Sequence, residues 1–195
     1  PTIGNYGKNW ITLISASKAF SFPGPRCAIS VISPHINEKK YSNLKDFCDR
    51  EQFGHAFSLG GLYVTTSGTS HTAQYALAKM LESATNNDFN FIKITSEYGR
   101  RAEKVKEIFL KYGFNQVYKK DMDEPVGNGF YLTMSYPKYE GNDLMLELLR
   151  YGISTITLKS TGSVRHEGLR VCISFIGLEE VPILEKKLQQ FMEDH

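Results

Sequence analysis

Apolar and polar residues follow one another in blocks along this chain, and each block predicts an element. Residues 10–14 (WITLI) and 28–33 (AISVIS) are short runs rich in β-branched residues, with no consistently polar face. That pattern predicts two buried strands of a parallel sheet. Between them, 15–26 (SASKAFSFPGPR) is polar and turn-rich, and Pro34 ends the second strand. Leu44, Phe47, Cys48 and Phe53 make an imperfect apolar stripe, which predicts a helix over 43–57. The stretch 65–70 (TTSGTS) reads as a loop and N-cap, leading into an amphipathic helix over 71–84. Its apolar side carries Ala73, Ala76, Leu77, Met80 and Leu81, and Asn86, Asn87 and Asp88 break it.

The remainder alternates helices with short strands. A helix rich in Lys, Arg and Glu is predicted over 96–112, with Gly113 standing where a C′ glycine belongs. Strands are predicted at 129–135, 154–158 and 169–175, and helices at 143–151 and 179–193. This is an α+β module, expected to form a separate domain from residue 86 onward. The charged face of 97–111 reads as solvated helix surface, and the Tyr and Phe residues of 109–118 and 130–139 as core. No internal repeat or low-complexity segment is present.

Composition narrows the classes of partner. The 195 residues are 41% hydrophobic and 23% charged, which suits one large domain or a partial domain joined to a small one. The net charge is +2 and the basic residues are scattered among acids, so neither a nucleic-acid nor a membrane partner is expected. No apolar run approaches the ~20 residues that cross a bilayer as a helix, and 1–15 has no basic-then-apolar leader pattern. Cys27, Cys48 and Cys172 are odd in number and lack metal-ligand spacing, which points to free thiols and a cytoplasmic setting. His35, His55, His71 and His166 also lack metal spacing and read as ordinary polar or capping residues, with His195 at the end of the chain. No metal site is expected.

One cluster carries chemistry. Ser15, Ser17 and Lys18 are followed by Gly24 and Arg26. A lysine that forms a Schiff base with an aldehyde must be partly neutral, which burial and nearby positive charge favour. A neighbouring phosphate ester needs hydroxyl donors and a guanidinium fork. Ser15, Ser17 and Arg26 supply both kinds of donor within eight residues of Lys18.

The stretch resembles the lysine signature of the pyridoxal-phosphate-dependent class I/II aminotransferases. It matches at Ser15, Ser17, Lys18, Ser21, Phe22, Gly24, Arg26 and Ala28, and departs at Cys27, where the family has an aliphatic residue. The resemblance implies an α/β fold: the C-terminal portion of a large cofactor-binding sheet domain (1–85), then a small α+β domain (86–195). It implies pyridoxal phosphate bound through Lys18, which also shuttles the proton, with Ser15, Ser17 and Arg26 as cofactor-binding residues. Arg170, in Gly168-Leu-Arg-Val-Cys-Ile-Ser-Phe175, resembles the strand arginine that takes the substrate α-carboxylate; Arg165 is a nearby competitor in an apparent loop. Ser67 lies in a segment similar to the one that reaches the neighbouring subunit's cofactor phosphate in the family's homodimers.

The implied reaction is amino transfer from an amino acid to a 2-oxo acid. The resemblance covers only the later half of the family's architecture, so the chain is expected to be a fragment following a longer segment before Pro1, and inactive by itself. Within the same fold a β-eliminating lyase stays open, because the lysine motif reports the cofactor and not the reaction. A non-catalytic aminotransferase-like domain and an accidental match also stay open.

Overall fold

The computed structural model describes residues 3–121, 123–127 and 129–195; Pro1 lies outside them. The chain folds as two compact units, Pro1–Phe91 and Ile92–His195.

The first unit is built on a hairpin. Strands β1 (Ile11–Ser15) and β2 (Ala28–Ile32) pair antiparallel, in register from Ile11 opposite Ile32 to Ser15 opposite Ala28. This corrects the expectation of buried parallel strands. A parallel pair needs a connection that crosses over the sheet. Here the linking segment curls back after a single turn, α1 (Ala16–Ala19). The Ala16 amide donates to Cys27 O (3.1 Å), extending the ladder, while the Phe20 and Phe22 amides both donate to Ala16 O. The strands are not fully buried either: Leu13 is 72% and Val31 42% exposed.

Pro34 does more than end β2. It opens the short helix α2 (Pro34–Glu38), capped by Ser33, whose Oγ accepts from the Ile36 amide (3.2 Å) and donates to Lys8 O (2.6 Å). The helix expected over 43–57 is broken. Helix α3 (Lys45–Cys48) stops at Asp49, which is left-handed (φ 53°), and Gln52 bridges back to Lys40. The chain then re-enters helix as α4 (Phe53–His55), a π-helical segment (Ala56–Tyr63) and α5 (Val64–Thr66). Thr65 and Thr66 therefore belong to helix, and the loop starts at Ser67. Helix α6 (His71–Thr85) follows, and its Ala73 and Leu77 are buried with Ala16 and Cys27 as a small core.

The second unit has a larger core. Helix α7 (Phe91–Lys111) starts ahead of the expected position 96, and the left-handed Gly113 (φ 85°) follows its end. The two-residue strands β3 (Asn115–Gln116), β4 (Lys120–Asp121) and β5 (Glu124–Pro125) have too little sequence to show a period, and none was expected. Next come β6 (Tyr131–Ser135), α8 (Gly141–Arg150), β7 (Ile156–Thr157), β8 (Leu169–Cys172) and α9 (Val181–Asp194). The strands at 154–158 and 169–175 are thus shorter than expected. Four of the strands form an antiparallel sheet in the order β3-β6-β8-β7. Its period-2 alternation puts Leu132, Met134, Leu169 and Val171 on one face. These pack with Val105 and Phe109 of α7, Leu144 and Leu148 of α8, and Leu188 and Phe191 of α9.

Candidate functional site

Candidate residues occur in both units. In the first, they gather at the end of the β1–β2 hairpin. Ser15 is the last residue of β1 and occupies the N-cap position of α1, where its side chain makes no capping hydrogen bond. Ser17 and Lys18 follow on that turn. Arg26 lies two residues before Ala28, the partner of Ser15, so antiparallel pairing returns the chain to Ser15 with Arg26 close behind. A parallel pair would not have done so.

The connecting loop is tightly folded. Ser21 (φ 50°) and Arg26 (φ 54°) are both left-handed, a conformation that costs an L-residue about 1–2 kcal/mol. Arg26 Nη1 donates to Pro23 O (2.8 Å), which holds the guanidinium stem over the loop. Ser15, Lys18 and Arg26 are exposed, and Ser17 is half-buried. The burial expected of a Schiff-base lysine is therefore not supplied by the described residues of this unit. Only Ala16 and Cys27, beside the motif, are buried, so Cys27 packs as the aliphatic residue of the family pattern would. Hydroxyls, an ammonium and a guanidinium at one end of a hairpin match the donors needed for an aldehyde bearing a phosphate ester.

Ser67 stands apart on its own loop. It is exposed and left-handed (φ 55°), its amide donates to Tyr63 O (2.7 Å), and Ser70 at the start of α6 makes no side-chain cap. Gln74 Nε2 instead donates to Thr69 O (2.8 Å).

Arg170 belongs to the second unit. It sits on β8, an inner strand, opposite Thr133 of β6 and Ile156 of β7. Leu169 and Val171 face the core, so Arg170 projects from the opposite sheet face. Its guanidinium carbon lies 4.4 Å from the centre of the Tyr131 ring. Its Nε is buried and has no hydrogen-bond partner among the described residues. A buried polar group left unpaired costs about 1–3 kcal/mol, and an acceptor atom would remove that cost. Arg165 is already engaged, with Nη2 and Nε both 2.7 Å from Glu167 Oε1. Glu167 is held below the ordinary carboxylate range by a backbone hydrogen bond and then by Arg165. Gly168 does allow a close approach, but by protein: the Leu158 amide donates to its carbonyl (2.9 Å), and a Cβ there would meet the side chains of Leu158 and Val117.

Tyr131 was missed, being read among core aromatics. Tyr131, Leu132, Thr133 and Met134 alternate with period 2, and that alternation puts Tyr131 with Arg170 on the face away from the core. Among the described residues no group of His, Cys, Asp and Glu could hold a metal ion, and no helix is long and apolar enough to cross a membrane.

No protein-family model matches the sequence, and no curated protein matches it. Solved structures do. The aspartate aminotransferase of Thermotoga maritima matches 99% of this chain at TM-score 0.70 and 17% identity. The α-aminoadipate aminotransferase LysN of Thermus thermophilus, solved with N-(5'-phosphopyridoxyl)-L-leucine, matches 94% at TM-score 0.67 and 14% identity. A Methanococcus jannaschii protein, described as similar in its active site to kynurenine aminotransferases, matches 93% at TM-score 0.66 and 16% identity. The chain spans 42–43% of the length of these structures. It has the α/β fold of the C-terminal part of a fold-type-I, pyridoxal-phosphate-dependent aminotransferase.

Proposed function

We propose that the protein containing these residues is a pyridoxal-phosphate-dependent aminotransferase, moving an amino group from an amino acid to a 2-oxo acid. The observation that carries this reading is the grouping of Ser15, Ser17, Lys18 and Arg26 at one end of a hairpin within the aminotransferase fold. Domain roles follow the same reading: 1–85 as the end of the large cofactor-binding domain and 86–195 as the small domain.

Lys18 would hold the cofactor at its aldehyde carbon through Nζ and, once the donor's amine has displaced it there, would move the proton at the donor's Cα. Ser15, Ser17 and Arg26 bind the phosphate ester, Arg26 with a two-pronged guanidinium. Arg170 binds the α-carboxylate of the amino acid. When bound, pyridoxal phosphate supplies the electron sink for the carbanion chemistry.

A homodimer belongs to this reading. Leu59, Leu62, Tyr63 and Val64 are exposed on one helical stretch, and Ser67 follows it directly, where it would meet the phosphate of the neighbouring subunit. Leu62→Glu is expected to shift the protein toward monomer in sedimentation, and an unchanged distribution would remove this stretch from the interface.

The direct test is to mix the 195-residue chain with pyridoxal phosphate, record the visible spectrum, reduce with borohydride and map the peptides. Label is expected on Lys18, and Lys18→Arg should abolish it. Labelling spread over surface lysines according to exposure would remove Lys18 from the cofactor role.

A further inference from the structure

We infer that Tyr131 is a positioning residue: its ring holds the Arg170 guanidinium on the sheet face away from the core, setting the direction from which a carboxylate can be gripped. This deepens the proposed function and rests on Arg170 being the carboxylate site.

The geometry arises from strand register. Tyr131 lies opposite Cys172, and Thr133 lies opposite Arg170, so Tyr131 and Arg170 are diagonal neighbours on one face. Diagonal neighbours on paired strands are about 7–8 Å apart, within reach of long and aromatic side chains. The guanidinium carbon sits 4.4 Å from the ring centre, a cation–π distance. Arg170 is anchored from both sides, since β8 pairs with β6 and β7, whereas the side chain itself has several rotatable bonds. Thr133 Oγ1, the polar atom directly across from Arg170, accepts from the Tyr118 amide (3.1 Å). The described contacts that orient the guanidinium therefore centre on the ring. Nε is enclosed beside the ring and has no partner among the described residues, so an acceptor oxygen brought there would satisfy a buried N–H. A guanidinium fixed in its plane loses less freedom when it forms two parallel bonds to a carboxylate.

Tyr131 is 37% exposed, so substitution there need not disturb the core. The experiment follows the Arg170 Nε–H resonance of the 195-residue chain by NMR, alone and with glutarate as a dicarboxylate probe. Stacking predicts an upfield ring-current shift in the free protein, kept in Tyr131→Phe and lost in Tyr131→Leu. Glutarate should shift the resonance saturably in the wild type and in Tyr131→Phe, and bind about two- to fivefold more weakly in Tyr131→Leu. Arg170→Lys monitors the site itself, by perturbation of neighbouring β8 amides. Equal glutarate affinity in Tyr131→Leu and wild type overturns the positioning role while leaving Arg170 as the carboxylate residue. Unaltered glutarate binding in Arg170→Lys, or no effect of glutarate on wild-type Arg170, overturns both and leaves the pair a structural contact.

Discussion

Gly141 and Gly168 meet where α8 begins against the sheet. A Cβ on Gly141 would lie 2.6 Å from His166 O and 2.9 Å from Gly168 O, and both are backbone atoms that cannot rotate aside. The Gly141 amide also donates to His166 O (2.9 Å), so the approach is held by a bond as well as by the lack of a side chain. Gly141→Ala is expected to destabilise the second unit by about 1–3 kcal/mol, the usual cost of overpacking, read as a lower urea midpoint. An unchanged midpoint would mean that the backbone yields freely there. Gly99 is the counter-case: it lies within α7, and a Cβ there meets nothing within 4 Å. Gly99→Ala should stabilise by about 0.5–1 kcal/mol through the loss of unfolded-state freedom. The opposite signs of these two substitutions are the test.

Between elements, the ends of α7 and α9 are tied at the surface. Lys111 Nζ is 2.6 Å from Glu185 Oε1, and Tyr112 donates its hydroxyl to the same oxygen (3.2 Å). Hydrogen bonding from Lys111 holds the Glu185 carboxyl below its ordinary value of 4.5. A carboxyl with a depressed folded value adds stability above its unfolded value, and that stability is lost as pH falls through the folded one. Stability is thus expected to fall on acidification below about 4.5, less steeply in Glu185→Gln than in wild type, as measured by urea melts across that range. Identical acid slopes would show that water screens the pair completely.

The long helices were legible because α6, α7 and α9 each repeat the apolar period several times. The β1–β2 pairing was not: WITLI and AISVIS read equally well as parallel or antiparallel, and the turn at Ala16–Ala19 decides between them. The break at Asp49 was hidden for a related reason, since one left-handed residue interrupts an apolar stripe without altering its composition. At the candidate site, Lys18 and Arg26 were legible from spacing, whereas the ring beneath Arg170 needed the register of β6 and β8.

Over the whole molecule, the two units differ in how much each encloses. The second surrounds Phe109, Met134, Leu148, Leu169 and Phe191 with three helices and a four-stranded sheet. The first encloses Ala16, Cys27, Ala73 and Leu77 beneath a two-stranded hairpin, an arrangement of marginal independent stability. Amides of β1 and β2 are therefore expected to exchange with solvent about a hundredfold faster, or more, than those of β6 and β8, a gap of about 2.7 kcal/mol in opening free energy. Equal protection would mean that the units open as one. Cys27 makes the same difference measurable by chemistry. Its thiol is sealed inside the smaller core, one residue from Arg26, while its carbonyl holds the Ala16 amide two residues before Lys18. An alkylating reagent reaches it when this small core opens, by movement of the loop carrying Lys18 and Arg26 or of α6, so its capture rate is a clock for that opening. Any compound that bridges Ser15 and Arg26 should slow the clock.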